Sequence, residues 1–281
     1  MEENIKTEEI IKRFKDQLTA EEKSAATIEK YLRDIRAFFR CCGSAEMNKA
    51  TVIAYKQKLL DEQYAARSVN SVLASLNRLF SFIGRDELRV KFLRIQQQVY
   101  CPEEKELTKS EYERLCRAAE KKKDIRLSLI LQTLCSTGMR VSELPYITVE
   151  AVRKGEAKVS LKGKMRTVFL VQGLRKKLLE FIRGKQLISG PLFITKNGRP
   201  LSRTMIWREM KRLCPVAHVD SQKVFPHNLR HLFARIFYGM EKDIVKLADI
   251  LGHSSINTTR VYIISTGFEH RRSMERLRLI I

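Results

Sequence analysis

Apolar residues recur at helical spacing through the first hundred positions. Ile28, Tyr31, Leu32, Ile35, Phe38 and Phe39 sit at offsets 0, 3, 4, 7, 10 and 11, one face of a helix. Lys30, Arg33, Asp34 and Arg36 lie between them, and Gly43-Ser44 closes the segment. A second helix is predicted from Lys49 to Glu62, carrying Val52, Ile53, Leu59 and Leu60. A third carries Val69, Val72, Leu73, Leu76, Leu79, Phe80 and Ile83 on the same period. A shorter one, Glu8 to Leu18, precedes them. Four helices of this size make a small bundle.

The periodicity stops between Gln96 and Leu107, where Gln96-Gln97-Gln98, Pro102 and the run Glu103–Glu106 look like a linker. Thr108-Lys109-Ser110-Glu111 then has the spacing of a capping box and opens a new helix. The pattern therefore predicts a helical domain over 1–98, a linker over 99–106 and a second domain over 107–281. The second domain is mostly helical, with one hairpin. Val159 and Leu161 alternate with polar residues, Lys162-Gly163-Lys164-Met165 can turn, and Val168 and Leu170 alternate again. Gly190-Pro191 and Asn197-Gly198 mark later loops. The predicted class is mainly α with a small β-hairpin.

Composition adds a partner. The 281 residues hold 54 Lys+Arg against 32 Asp+Glu, a net charge of +22 that repels itself and calls for a polyanion. With 44% hydrophobic residues, the chain does not fit wholesale disorder. Runs such as Leu127–Leu131 are far too short to span a membrane, and the acidic opening MEENIKTEEI is unlike a secretory signal. Six cysteines show no CxxC or Cys/His ligand spacing, and neighbours Cys41 and Cys42 cannot easily pair. They read as reduced thiols of a cytoplasmic protein, with no structural metal expected.

Four motifs in the second domain carry chemistry. Thr137-Gly138-Met139-Arg140-Val141-Ser142-Glu143-Leu144 places an arginine just past an apolar helix that ends at Gly138, ahead of a further helical stretch. Alone, such an arginine is usually a cap or a surface charge. The hairpin turn holds Lys162 and Lys164, and turn lysines are usually just solvated. In Pro226-His227-Asn228-Leu229-Arg230-His231, His227 and Arg230 are three apart and share a helical face. That pair suits a phosphate, with a guanidinium fork for two oxygens and an imidazole to move a proton. It could equally be a structural contact; His231 is expected to point elsewhere and pack. Lastly, Leu251-Gly252-His253 is followed by Thr258-Thr259-Arg260-Val261-Tyr262. A lone tyrosine is usually core filling, but among cations and a base its hydroxyl becomes a usable nucleophile.

As a set, two arginines, a lysine, two histidines and a tyrosine are the parts for metal-free phosphoryl transfer. The sequence here resembles the tyrosine recombinases of the phage integrase family, and the resemblance runs through essentially the whole second domain. Each motif is moderately specific; all of them in order are highly specific. The resemblance implies that Arg140 and Arg230 neutralise the phosphate, with Glu143 supporting the site. It implies that Lys162, or less readily Lys164, is the general acid, with His227 and His253 beside them and Tyr262 as the nucleophile. The hairpin is about one residue shorter than the family's Gly-Lys-Gly-x-x-x-Arg, and Phe169 stands where a proline often closes the second strand.

The resemblance further implies a helical core-binding (SAM-like) first domain, so that the two domains would clamp a duplex, in the manner of the short Xer-type members. Neither cofactor nor metal is implied. The expected partner is double-stranded DNA with an inverted-repeat core site, bound by a homodimer and synapsed as a homotetramer. The setting implied is bacterial cytoplasm, at the nucleoid or on a mobile element. Beyond Tyr262, Met274, Leu277, Arg278 and Ile281 fall on one helical face; this tail either folds back onto its own domain or, as the resemblance implies, docks on a neighbouring protomer. A type IB topoisomerase would share the chemistry but religate the same strand. A non-catalytic DNA-binding protein would have no reason to keep the full set.

Overall fold

The computed structural model describes residues 2–43, 47–95, 106–161, 164–195, 197–262 and 275–276. Two compact units divide the chain, Met1–Gln97 and Gln98–Ile281. Lys162, most of the expected linker and nearly all of the tail, including Met274, Leu277, Arg278 and Ile281, lie outside the described residues.

The first unit is a four-helix arrangement: α1 (Glu2–Ala20), α2 (Ala25–Cys42), α3 (Lys49–Asp61) and α4 (Ala66–Phe82). Ser24 and Asn48 accept amide bonds from Thr27 and Thr51 and so cap α2 and α3. The predicted stripe of α2 faces inward: Ile28, Leu32, Ile35 and Phe38 are buried with Phe14 and Leu18 of α1, Val52 of α3, and Leu73, Leu76 and Phe80 of α4. Each such side chain contributes ~1.5–3 kcal/mol relative to exposure. Helix α1 is longer than the predicted Glu8 to Leu18, because Glu and Lys have high helix propensity and acidic residues suit a helix N-terminus. Asp34 differs from the pattern by being buried. Lys30 Nζ lies 2.8 Å away and the Ser75 hydroxyl donates to it at 2.9 Å, so a paired carboxylate ties α2 to α4.

The second unit begins with α5 (Lys109–Lys121), which Thr108 and Glu111 cap reciprocally as the sequence predicts. The apolar α6 (Ile125–Thr137) follows. The stretch after Arg140 is a 3-10 helix, Val141–Tyr146, and not an α-helix, because Pro145 removes an amide donor within it. Then come α7 (Val149–Lys154), the strands β1 (Glu156–Leu161) and β2 (Lys164–Phe169), and α8 (Gln172–Gly184). The antiparallel register runs from Glu156 opposite Phe169 to Leu161 opposite Lys164. The strands begin and end closer together than predicted: Lys164 and Met165, expected in the turn, belong to β2. Helices α9 (Arg203–Lys211), α10 (Cys214–Ala217), α11 (Pro226–Glu241), α12 (Ile244–Leu251) and α13 (Ile256–Arg260) follow.

Helix α6 is the spine of this core. Leu127, Ile130, Leu131 and Leu134 are buried with Leu115, Leu144, Val159, Leu178 and Leu229. The class is mainly α with one small antiparallel sheet, as the pattern predicts. Among the described residues no helix is long and apolar enough to cross a membrane, and the described cysteines are free thiols.

Candidate active site

Three helix ends converge on one side of the second unit: the C-terminus of α6, the N-terminus of α11 and the C-terminus of α12. Gly138 ends α6 with φ of +61°, a left-handed cap that glycine adopts without strain. A Cβ there would lie 2.4 Å from the Phe233 ring, so the close packing of α6 on α11 also needs a glycine. Gly252 ends α12 in the same way, with φ of +66°.

Arg230 of α11 is 1% exposed, and its guanidinium spans the first and last of these ends. Its Nη1 donates to the Gly138 carbonyl at 2.6 Å and its Nη2 to the Leu251 carbonyl at 2.8 Å. Nη2 also lies 2.7 Å from His253 Nε2. Arginine only donates, so Nε2 accepts, and the network assigns the proton of neutral His253 to Nδ1, which donates to Thr259 Oγ1 at 2.8 Å. The buried Nε–H of Arg230 has no acceptor among the described residues. Burial, then the charge of Arg140, brings the Arg230 pKa down to about 10, so the group is still cationic at neutral pH.

Tyr262 follows α13 and is 7% exposed. Its hydroxyl lies 3.4 Å from His227 Nε2, and the Arg230 guanidinium carbon is 5.7 Å from its ring centre. The rings of His253 and His227 are 5.3 Å and 5.4 Å from the tyrosine ring. His227 keeps one edge in solvent. Partial burial, then the charges of Arg230, Arg140 and Arg203, hold its pKa below the ordinary value. A neutral imidazole at pH 7 can accept the phenol's proton.

Arg140 is held beside this cluster with its side chain 40% exposed. Glu143 accepts from the Arg140 amide at 2.7 Å and from its Nη1 at 3.2 Å. Burial raises the Glu143 pKa, but the Arg166 hydrogen bond, the Arg140 amide and both guanidinium charges outweigh it, leaving the carboxyl below its ordinary range. Arg140, Glu143, Arg166, Gly252 and His253 line a cleft of about 680 Å³.

Arg140, Glu143, His227, Arg230, His253 and Tyr262 are thus gathered in one place. Lys162 lies outside the described residues, as does the Lys164 side chain. Two residues that the sequence reading gave no part in the chemistry join them. His231 does not point elsewhere: its ring centre is 4.4 Å from Tyr262 and 4.8 Å from His227. The signal was available, since residues four apart on a helix share a face. Arg166 is the second. It shares the inward face of β2 with buried Val168, a charge where the alternation calls for an apolar residue.

These histidines make a pH prediction. Burial and neighbouring cations put both His231 and His253 at about 4, against 6.5 for an ordinary histidine. Below pH 6.5 the unfolded chain binds more protons than the folded one. Stability is therefore complete above pH 6.5 and is lost as pH falls toward 4. The melting temperature is expected to drop progressively below pH 6.5, with a flatter slope for His231→Gln. A melting temperature constant from pH 7.5 to 5 would contradict it.

Comparison with known proteins agrees with this geometry. The family model described as "Phage integrase family" matches residues 105–267. The chain belongs to the phage integrase family. The model for the phage integrase N-terminal SAM-like domain matches residues 11–87. The chain is 30% identical to the tyrosine recombinase XerA of Pyrococcus furiosus, across 100% of this chain and 98% of that protein. It is also 30% identical to the tyrosine recombinase XerD of Xanthomonas axonopodis pv. citri, across 90% and 92%. A crystal structure of XerA recombinase aligns with TM-score 0.55 and 24% identity, covering 98% of this chain and 100% of that one. A lambda integrase(75-356) dimer bound to a COC' core site aligns with TM-score 0.73 and 18% identity, over 91% and 94%. Within the phage integrase family this chain is a tyrosine recombinase, an enzyme of site-specific DNA strand exchange.

Proposed function

We propose that Tyr262 cleaves and rejoins DNA at a specific site through a 3′-phosphotyrosyl intermediate. The observation that carries this reading is the Tyr262 hydroxyl beside neutral His227, against the buried cation Arg230. His227 takes the phenolic proton as the oxygen attacks phosphorus. The P–O5′ bond breaks, and the hairpin lysine gives the leaving oxygen its proton. Arg140 and Arg230 balance the charge on the pentacoordinate phosphate. The 5′-hydroxyl of a partner strand then attacks the phosphotyrosine and restores the phenol. The ester energy is kept in the P–O–Tyr bond, so the cycle needs no ATP.

The unit up to Gln97 serves as the core-binding domain. Arg33, Arg36 and Arg40 form an exposed stripe on α2, opposite its buried face, that suits phosphates. A lambda integrase is seen as a dimer on a core site and as a tetramer on a Holliday junction, and the same assemblies on an inverted-repeat site are proposed for this chain. A bacterial, nucleoid-associated enzyme in the cytoplasm fits this role, as does a place on a mobile element.

The test is a duplex nicked next to the scissile phosphate, carrying an inverted-repeat site selected by binding. A covalent protein–DNA adduct should survive denaturing gels and form in excess EDTA, because side-chain cations stand where a metal ion otherwise would. An adduct that forms only with added magnesium would refute the reading.

The two hairpin lysines separate by leaving-group chemistry. A 5′-bridging sulfur leaves without a proton. The cleavage defect of Lys162→Ala should therefore disappear on that substrate, and Lys164→Ala should cleave either substrate near the parent rate. Sulfur rescue of Lys164→Ala alone would move the general acid to Lys164.

A further inference from the structure

Arg166 is the most constrained charged side chain of the cleft outside the six residues above. It is 12% exposed and lies 2.6 Å from Glu143 Oε2 through its Nη2. Its Nη1 donates to the Ile250 carbonyl at the end of α12. Its aliphatic stem runs over Gly252, where a Cβ would meet its Cδ at 2.4 Å. One side chain on β2 thus holds both the Glu143 carboxylate and the turn that delivers His253.

The charges explain why this matters. Glu143 is 1% exposed, so its carboxylate must be paired within the protein. Two guanidinium groups reach it, one on each oxygen: Arg140 on Oε1 at 3.2 Å and Arg166 on Oε2 at 2.6 Å. The tighter, more buried bond belongs to Arg166. Glu143, Arg140 and Arg166 together carry a net +1. Without Arg166 the trio is neutral, and among the described residues Arg140 is the cation left to pair the carboxylate. Its fork would turn onto both oxygens of Glu143 and away from substrate.

We propose that Arg166 is a positioning residue that holds the charge of Glu143 so that the guanidinium of Arg140 remains free for the scissile phosphate. The inference rests on the proposed role of Arg140 in phosphoryl transfer. The contact with the Ile250 carbonyl serves the same end, because it holds the second arm of the Arg166 fork while the first holds Glu143.

The experiment is single-turnover cleavage of the nicked duplex at saturating protein, below the melting temperature of each variant. Arg166→Ala should slow cleavage by ~10²-fold, the usual effect of losing one preorganised donor, with half-site affinity within about twofold of the parent. Arg166→Lys keeps a cation against Glu143 and should recover most of the rate. Adding Glu143→Gln to Arg166→Ala removes the charge that captures Arg140 and should restore at least about tenfold of the ~10² lost. A methylphosphonate at the scissile position carries no charge on its non-bridging atoms. The Arg166→Ala defect should shrink on that substrate, an effect that mere loss of stability would not produce.

The proposal is overturned if the double variant is no faster than Arg166→Ala, or if the defect is unchanged on the methylphosphonate. Full rescue by a 5′-bridging sulfur would also overturn it, because Arg166 would then act through the general acid. If the parent itself forms no adduct, it is the reading of the site that fails, and the two failures are thereby distinguished.

Discussion

Arg230→Lys is expected to lose both rate and stability, and Arg140→Lys mainly rate. The contrast follows from their surroundings. Arg230 is almost wholly buried and uses one fork on three acceptors: the Gly138 carbonyl, the Leu251 carbonyl and His253 Nε2. A lysine keeps the charge, but its single nitrogen cannot reach carbonyls at the ends of two different helices in fixed directions. Leaving one buried carbonyl unpaired costs ~1–3 kcal/mol. At about 2–4 °C per kcal/mol for a unit of this size, the fall in melting temperature is readily measured. On the proposed role of Arg230 at the phosphate, the same change also removes a preorganised donor, so single-turnover cleavage should fall by ~10²–10³. Arg140 is 40% exposed, with Glu143 as its partner, and a lysine there strands no buried carbonyl. Cleavage by Arg230→Lys within about twofold of the parent would remove it from the phosphate site.

The residues that carry chemistry were legible where the chain is local. The helical period of α2, the capping box at Thr108 and Glu111, and the glycine ending α6 each depend on neighbours within a turn. His227 and Arg230 share a face for the same reason. What the sequence reading missed depends on distance in the chain. Arg166 is defined by Glu143, 23 residues earlier, and by Ile250, 84 residues later. No period connects such positions. A charge on the inward face of β2 and the arginine that closes the hairpin motif were the available signals, and burial of that strand was needed to interpret them. His231 was misread for another reason. Its helical offset from His227 is right for contact, but an imidazole four residues on is as good at packing as at chemistry. Only Tyr262, arriving from beyond α13, decides between them. Similarly, the stretch after Arg140 has a helical pattern, yet Pro145 and the bond from the Arg140 amide to Glu143 shorten it to a 3-10 turn. That tight turn is what places Glu143 under its own arginine.

Tyr262→Phe should abolish the covalent adduct while leaving the rest of the protein nearly unchanged. The ring is what packs: it meets His231 at 4.4 Å, His253 at 5.3 Å and the Arg230 guanidinium at 5.7 Å, and phenylalanine preserves each of these contacts. The hydroxyl adds a bond at 3.4 Å to the exposed His227 and an interaction with the Arg230 guanidinium, each worth ~1 kcal/mol to the fold. DNA affinity should also hold, because binding is dominated by cation–phosphate contacts that the substitution does not touch. Removing the nucleophilic oxygen leaves nothing for phosphorus to bond to. The loss should therefore be complete and not graded, unlike the arginine variants, which keep the attacking atom and lose part of its stabilisation. The nicked duplex that traps the parent as an adduct should stay bound to the variant and remain uncleaved on a denaturing gel. Thr259 cannot easily substitute, since its hydroxyl is taken by His253 Nδ1 at 2.8 Å. An adduct formed by Tyr262→Phe would place the nucleophile on another side chain and would remove Tyr262 from the chemistry altogether.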